Sequence, residues 1–247
     1  MIDWLDECAD PQFPDTSNAL NDPNGLLAAG GKITPLWLHH AYSRGIFPWH
    51  GHDEPRLWWT PAPRAVILAD TFRIPRTIRK ELKRSPLSFT SNLAFRQVMA
   101  ACAETHAKHS GTWIQPEMID EYHRLAAAGF ALSVECWNNK GDLVGGFYGI
   151  RIGVAFFGES MFSRQPNTAK LAFACAAPQL IDNGIKIIDC QMHTEHLARF
   201  GIVTLSRRQF ESHLHQAIQR IPTRPLLPTW LNKPATTGST SPSEVPQ

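Results

Sequence analysis

The residues with chemistry to offer fall in a few short stretches. In FFGESMFSRQPNTAK (156–170), Glu159 lies among Phe156, Phe157, Met161 and Phe162. A carboxylate so flanked can be desolvated, although aromatic and Met residues by themselves more often build core. In IIDCQMH (187–193), Asp189 and Gln191 follow an apolar run at alternate positions. At alternate positions along a strand, both should project to the same face. A carboxylate beside a carboxamide can fix the amide's orientation toward a ligand; equally, a strand-end Asp can simply satisfy backbone donors. Cys190, His193 and His196 form a C-x2-H-x2-H string. A fourth ligand at suitable spacing is missing and Cys190 would face away from its neighbours, so no metal is expected.

A different chemistry is offered by PRTIRKELKR (75–84). At about 100° per residue, Arg76, Arg79, Lys80, Lys83 and Arg84 fall in one stripe, with Ile78 and Leu82 opposite. Solvated faces normally mix signs, whereas six bases and one acid, Glu81, occupy residues 73–84. That imbalance favours a phosphate-contacting surface. Several of the eight tryptophans stand beside Pro or Gly, in FPWH, LWWTPAP and GTWIQP. Loop tryptophans of this kind either pin loops to the body or present a stacking surface for flat ligands.

The chain must build elements to hold these groups. Its 247 residues suffice for one large domain or two modest ones, and 43% hydrophobic with 19% charged residues suits a soluble globular protein. A net charge of only +2 means that any nucleic-acid binding rests on local clustering. Five cysteines without a CxxC pair argue for a reducing compartment. The acidic start MIDWLDECAD lacks the basic and apolar regions of a secretory signal, and no apolar run is long enough to span a bilayer. A cytoplasmic protein is expected.

Residues 1–62 are dense in turn formers, with one helix predicted after Thr34 and Pro35 and closed by Gly45. A short strand at 66–68, the basic helix, and a helix over 92–107 follow. Beyond 116 the pattern reads helix, strands at 131–138, 143–150 and 154–159 in an antiparallel meander, and a helix over 168–183. A strand at 185–190, a short helix capped by Thr194, a strand at 202–205 and a helix at 207–219 complete it. The fold class is α+β. A small Pro/Gly/Trp-rich N-terminal domain spans 1–62 and continues through 63–110 with the basic helix. A catalytic domain with a mixed, largely antiparallel sheet spans 111–220. The extension 221–247 is Pro/Ser/Thr-rich and expected to be disordered from about 234.

The element order of the catalytic domain resembles the GCN5-related acetyltransferase fold, in which the ligand lies where two central strands splay apart. There the turn entering the long helix cradles the pyrophosphate of coenzyme A with backbone N–H groups. Here the turn reads Arg164-Gln165-Pro166-Asn167-Thr168-Ala169. Asn167 replaces the middle glycine and Pro166 has no N–H, which speaks against coenzyme A and leaves Asn167 for a side-chain contact or a cap.

Across about residues 13–215, in order, the chain closely resembles leucyl/phenylalanyl-tRNA–protein transferases. The matching segments are DPNGLLAAGG, GIFPWH, LWWTPAPRAV, GTWI, LVGGFYGI, FFGESMFSRQPNTAK and IIDCQMH. Thr168, Lys32 and the tail depart from the family pattern. The resemblance implies transfer of Leu or Phe, and less well Met, from its tRNA to the N-terminal Arg or Lys of an acceptor protein, feeding N-end-rule degradation. It implies Trp49, Trp113 and Asn167 at the tRNA 3′ end, and Phe147, Phe156, Gly158, Met161, Ser163 and Ile188 around the aminoacyl side chain. Asp189 and Gln191 would stand at the reacting centre with Glu159 beside them. Arg76, Arg79, Lys80, Lys83 and Arg84 would follow the tRNA backbone. The ester is already activated, so no cofactor, ATP or metal is needed, and a monomer is expected. A carboxamide is too weak a base to take a proton outright. Gln191 then reads as an orienting group held by Asp189, with a carboxylate or the substrate taking the proton. Asp189 or Glu159 could equally hold the acceptor's cationic side chain.

Overall fold

The turn-rich start of the chain holds more regular structure than its composition suggests. The computed structural model describes residues 2–107, 112–193, 195–221 and 227–231. Strands β1 (Asp3–Leu5) and β2 (Leu26–Gly30) precede helix α1 (Pro35–Tyr42), then come β3 (Phe47–Pro48) and β4 (Leu57–Trp59). They form a four-stranded sheet of order β1-β2-β4-β3. The strands are too short to show alternation, which is why the pattern hid them. Pro48 is accommodated because β3 is an edge strand. The Thr34 hydroxyl accepts the Trp37 N–H, capping α1 as expected. Gly45, at φ 71°, then turns the chain back, and a Cβ there would meet the Phe210 ring at 2.5 Å.

The next elements are β5 (Arg64–Leu68), α2 (Arg76–Arg84), β6 (Ser88–Ser91), α3 (Phe95–Ala107) and α4 (Pro116–Ala127). After them come β7 (Ala131–Trp137), β8 (Leu143–Ile152), β9 (Ala155–Ser163), α5 (Thr168–Asp182) and β10 (Ile187–Asp189). Helix α6 (Glu195–Ala198), β11 (Val203–Leu205) and α7 (Arg207–Ile218) end the described fold. A seven-stranded sheet has the order β11-β5-β10-β9-β8-β7-β6. The meander β7–β8–β9 is antiparallel, as read from the sequence. Strands β9 and β10 are parallel, joined by the α5 crossover that such a pair requires. The sheet is therefore mixed, in an α+β molecule.

Strands β5 and β6 both belong to this large sheet, so 63–110 pairs with the elements after 111 rather than with the segment before 62. Helices α3 and α4 cover one face, burying Phe95, Val98, Met118 and Tyr122 in a core shared with Trp37 and Trp58 of the small sheet. Helices α2 and α5 cover the other face through Ile78, Leu82 and the apolar side of α5. The five basic side chains of α2 remain exposed, so its two-faced reading holds. Close packing of α5 on β8 relies on Gly145, where a Cβ would lie 2.4 Å from the Thr168 hydroxyl. Residues beyond 231, and with them the expectation of disorder from 234, lie outside the described residues. Among the described residues no helix is long and apolar enough to cross a membrane.

Candidate active site

The parting of β9 from β10 creates the site. Their pairing stops at Phe157 opposite Asp189, while β9 runs on to Ser163. Beyond that point lies a cavity of about 920 Å3. A second irregularity aims the side chains. Tyr148 pairs with Ser160 and Gly149 with Gly158, so Glu159 is the extra residue of a β-bulge. A bulge re-aims the side chain it carries and inverts the inward–outward alternation beyond it. Phe156, Met161 and Ile188 accordingly face the α5 side with Phe147 and Phe173, while Glu159 meets tyrosines on the α1–α4 side.

All six residues expected around the aminoacyl side chain line this cavity: Phe147, Phe156, Gly158, Met161, Ser163 and Ile188. Glu159, Gln191, Trp49, Trp113 and Asn167 line it too. Trp49 is 48% exposed and meets Trp59 edge-on at 5.5 Å. The small sheet and its loops thus supply one wall, and the large sheet with residues of α3, α5 and α6 the others. Asn167 sits at φ 61° and makes no side-chain cap; its amide donates to Glu81 of α2 at 2.9 Å. The cradle N–H groups are already engaged, Ala169 N–H on the Ser163 hydroxyl and Thr168 N–H on the Gln165 carbonyl.

Glu159 accepts the hydroxyl protons of Tyr42 at 2.7 Å and Tyr122 at 3.2 Å. Glu159 lines the cavity and is partly buried. Burial pushes it up to about 7 against the opposing pull of both tyrosines, and the Asp189 charge adds to the rise. Burial, then the Glu159 charge, holds the hydroxyls of Tyr42, Tyr122 and Tyr148 well above their usual range. They stay donors at neutral pH. Cys190 lines the cavity, but burial and the Asp189 charge raise its thiol, so it is no thiolate nucleophile.

Asp189 does not line the cavity. Its two oxygens are taken by Arg64, Nε at 2.9 Å and Nη2 at 2.7 Å, and both residues are 1% exposed. Arg64 also donates to the Gly45 carbonyl and lies between the rings of Phe47 and Phe210. This corrects the expectation that Asp189 could hold an acceptor's cation. The idea that Asp189 and Gln191 share a strand face is corrected as well: β10 ends at Asp189, and Gln191 adopts a left-handed φ of 61°. Asp189 accepts the Gln191 backbone N–H at 2.8 Å, not its amide. The Gln191 amide instead donates to Glu159 at 3.3 Å.

The sequence reading missed Arg64, Tyr42, Tyr122 and Phe173. An arginine opening the otherwise apolar run RAVIL was a usable signal for Arg64, since a charge in a buried strand needs a partner. The two tyrosines carried none, because they come from separate helices. The Arg76, Arg79, Lys80 and Lys83 side chains line a second hollow of about 410 Å3 with Ile74; Arg84, on the same helix, does not line it. The side chain of His196 lies outside the described residues, as does Thr194.

Against known proteins, residues 66–215 match the family model described as leucyl/phenylalanyl-tRNA protein transferase, and residues 31–62 match the one for its N-terminal domain. The leucyl/phenylalanyl-tRNA–protein transferase of Chromobacterium violaceum is 47% identical over 89% of this chain and 93% of its own length. The protein of the same name from Aromatoleum aromaticum is 48% identical over 85% of this chain and 87% of its own. Among solved structures, L-PGS from Bacillus licheniformis aligns with a TM-score of 0.41 and 12% identity over 84% of this chain and 65% of that chain. That likeness is too weak to bear on fold or function.

Proposed function

The chain belongs to the leucyl/phenylalanyl-tRNA protein transferase family, and we propose from that premise that it moves an aminoacyl group from tRNA to the N-terminus of an acceptor protein. The supporting observation is the cavity at the parting of β9 and β10, which sets an aromatic and Met-lined chamber against a partly buried carboxylate raised to about 7. Met161 and the phenylalanines suit Leu, Phe and Met side chains alike. Trp49 and Trp113 offer faces for the terminal adenosine. The basic stripe of α2 would follow tRNA phosphates, reading charge rather than sequence.

The amine nitrogen of the acceptor attacks the ester carbonyl, and the bond to the ribose oxygen of the tRNA end breaks as the amide forms. The α-amine has a reference pKa of about 7.7–8.0, so Glu159 at about 7 is matched to accept its proton. The same carboxylic acid can then protonate the departing ribose oxygen, closing the proton balance. Gln191 donates its NH2 to Glu159, which leaves its carbonyl oxygen as the acceptor it could offer the incoming amine. Asp189 acts through position: with Arg64 it fixes the Gln191 backbone and touches no substrate.

We further propose Leu and Phe, with Met weaker, as donors, acceptors with N-terminal Arg or Lys, entry into N-end-rule degradation, and a monomer working in the cytoplasm. The parallel β9–α5–β10 unit with its split strands supports an acetyltransferase-like core. Against a coenzyme A reading stand the Thr168 and Ala169 N–H groups of the turn, both already engaged within the chain. We place the domain boundary near residue 62. Labelled Phe-tRNA supplied with one peptide beginning with Arg and another beginning with Ala tests the function. Label should pass to the Arg peptide; label in neither would defeat it.

A further inference from the structure

The cavity and the α2 hollow are both built for parts of a tRNA, yet a polynucleotide end must cross from one to the other. Among the described residues lining the cavity, Lys170 is the only lysine or arginine. It sits in the first turn of α5, half-buried, and no ion pair or hydrogen bond to its ammonium is found among the described residues. A half-buried ammonium at the cavity wall is placed to meet an anion that enters there.

Its position in the fold says what arrives. Three residues before Lys170, the Asn167 amide is hydrogen-bonded to Glu81 of α2. Helix α2 packs on α5 and carries the arginines and lysines of the hollow. Lys170 therefore stands between a surface suited to phosphates and a cavity suited to an aminoacyl adenosine. The N–H groups of Thr168 and Ala169 are taken, so the attraction rests on the ammonium. Resting on the function proposed above, we infer that Lys170 binds the phosphodiester joining the terminal adenosine to the preceding nucleotide of the donor tRNA. A lysine suits this role as a point charge that needs no fixed fork geometry.

The test compares two donors, Phe-tRNA, which has that phosphodiester, and phenylalanyl-adenosine, which lacks it. For Lys170→Met, the ratio of kcat/KM with Phe-tRNA to kcat/KM with phenylalanyl-adenosine should fall about tenfold, the scale of one charge-assisted hydrogen bond. The loss should appear in KM. The slope of log(kcat/KM) against log[salt] for Phe-tRNA should flatten by about 0.7, the value for one phosphate contact on a single strand. Lys170→Arg, which keeps the charge, should recover most of the ratio. An unchanged ratio, whether both donors lose equally or neither does, overturns the inference while leaving the transferase reading intact. A wild-type protein that transfers from neither donor takes down both.

Discussion

Replacing Glu159 by Gln separates the cost of a buried carboxylate from its use. In the folded protein the group rises from an ordinary 4.5 to about 7, chiefly through burial. Between these values the folded state binds more protons than the unfolded one, so stability falls as pH rises through the window. At about 1.4 kcal/mol per pH unit, the ionised carboxylate costs up to about 3 kcal/mol above pH 7, and nothing below 4.5 where both states are protonated. The carboxamide put in its place would still accept the Tyr42 hydroxyl and the Gln191 NH2 through its oxygen, while its NH2 donates to the Tyr122 hydroxyl, whose own proton can turn to Tyr42. The unfolding free energy of Glu159→Gln minus that of wild type should therefore climb by up to about 3 kcal/mol between pH 4.5 and 7.5 and then level off. Urea titrations of both proteins across that range measure it, and taking the difference cancels every other titrating group. Turnover should collapse at the same time, since an amide cannot accept the amine's proton. A flat difference, or one that falls with pH, would refute the buried-carboxylate reasoning.

Arg64→Ala strands the Asp189 carboxylate in the core; a loss of about 3–5 kcal/mol is expected, seen calorimetrically as a Tm roughly 10 °C lower. Tyr42→Phe removes a hydrogen bond that favours the ionised form of Glu159. The acidic limb of its kcat/KM profile should therefore move to higher pH, and a shift the other way would show that the hydroxyl does not stabilise the anion. In Arg76→Ala/Lys83→Ala the salt slope of tRNA-dependent activity should flatten by about one unit for each phosphate no longer neutralised. An unchanged slope would remove α2 from the tRNA path.

Local pattern was enough for some of this molecule. The basic and apolar faces of α2, the capped α1 and the β7–β9 meander follow from periodicity and turn chemistry, which act over a few residues and leave their mark on them. The residue types around the cavity were likewise visible in two contiguous strings. The small sheet was not, because strands of two to five residues among prolines and glycines have no period to read.

Where those residues point, and what they touch, was settled by packing. The bulge at Glu159 depends on register against β8, and register is a property of two strands together, so the string FFGESMF does not contain it. Arg64 reaches Asp189 across 125 positions of chain, and Tyr42 and Tyr122 reach Glu159 across 117 and 37. These partners change the chemistry of each carboxylate in opposite ways. The guanidinium closes Asp189 off from the cavity, while burial beside neutral hydroxyls poises Glu159 near pH 7. The order of residues along the chain was sufficient to single out Glu159 and Asp189 as the carboxylates to examine. Which of them is available to take a proton depended on the folded molecule, which desolvates one and pairs the other.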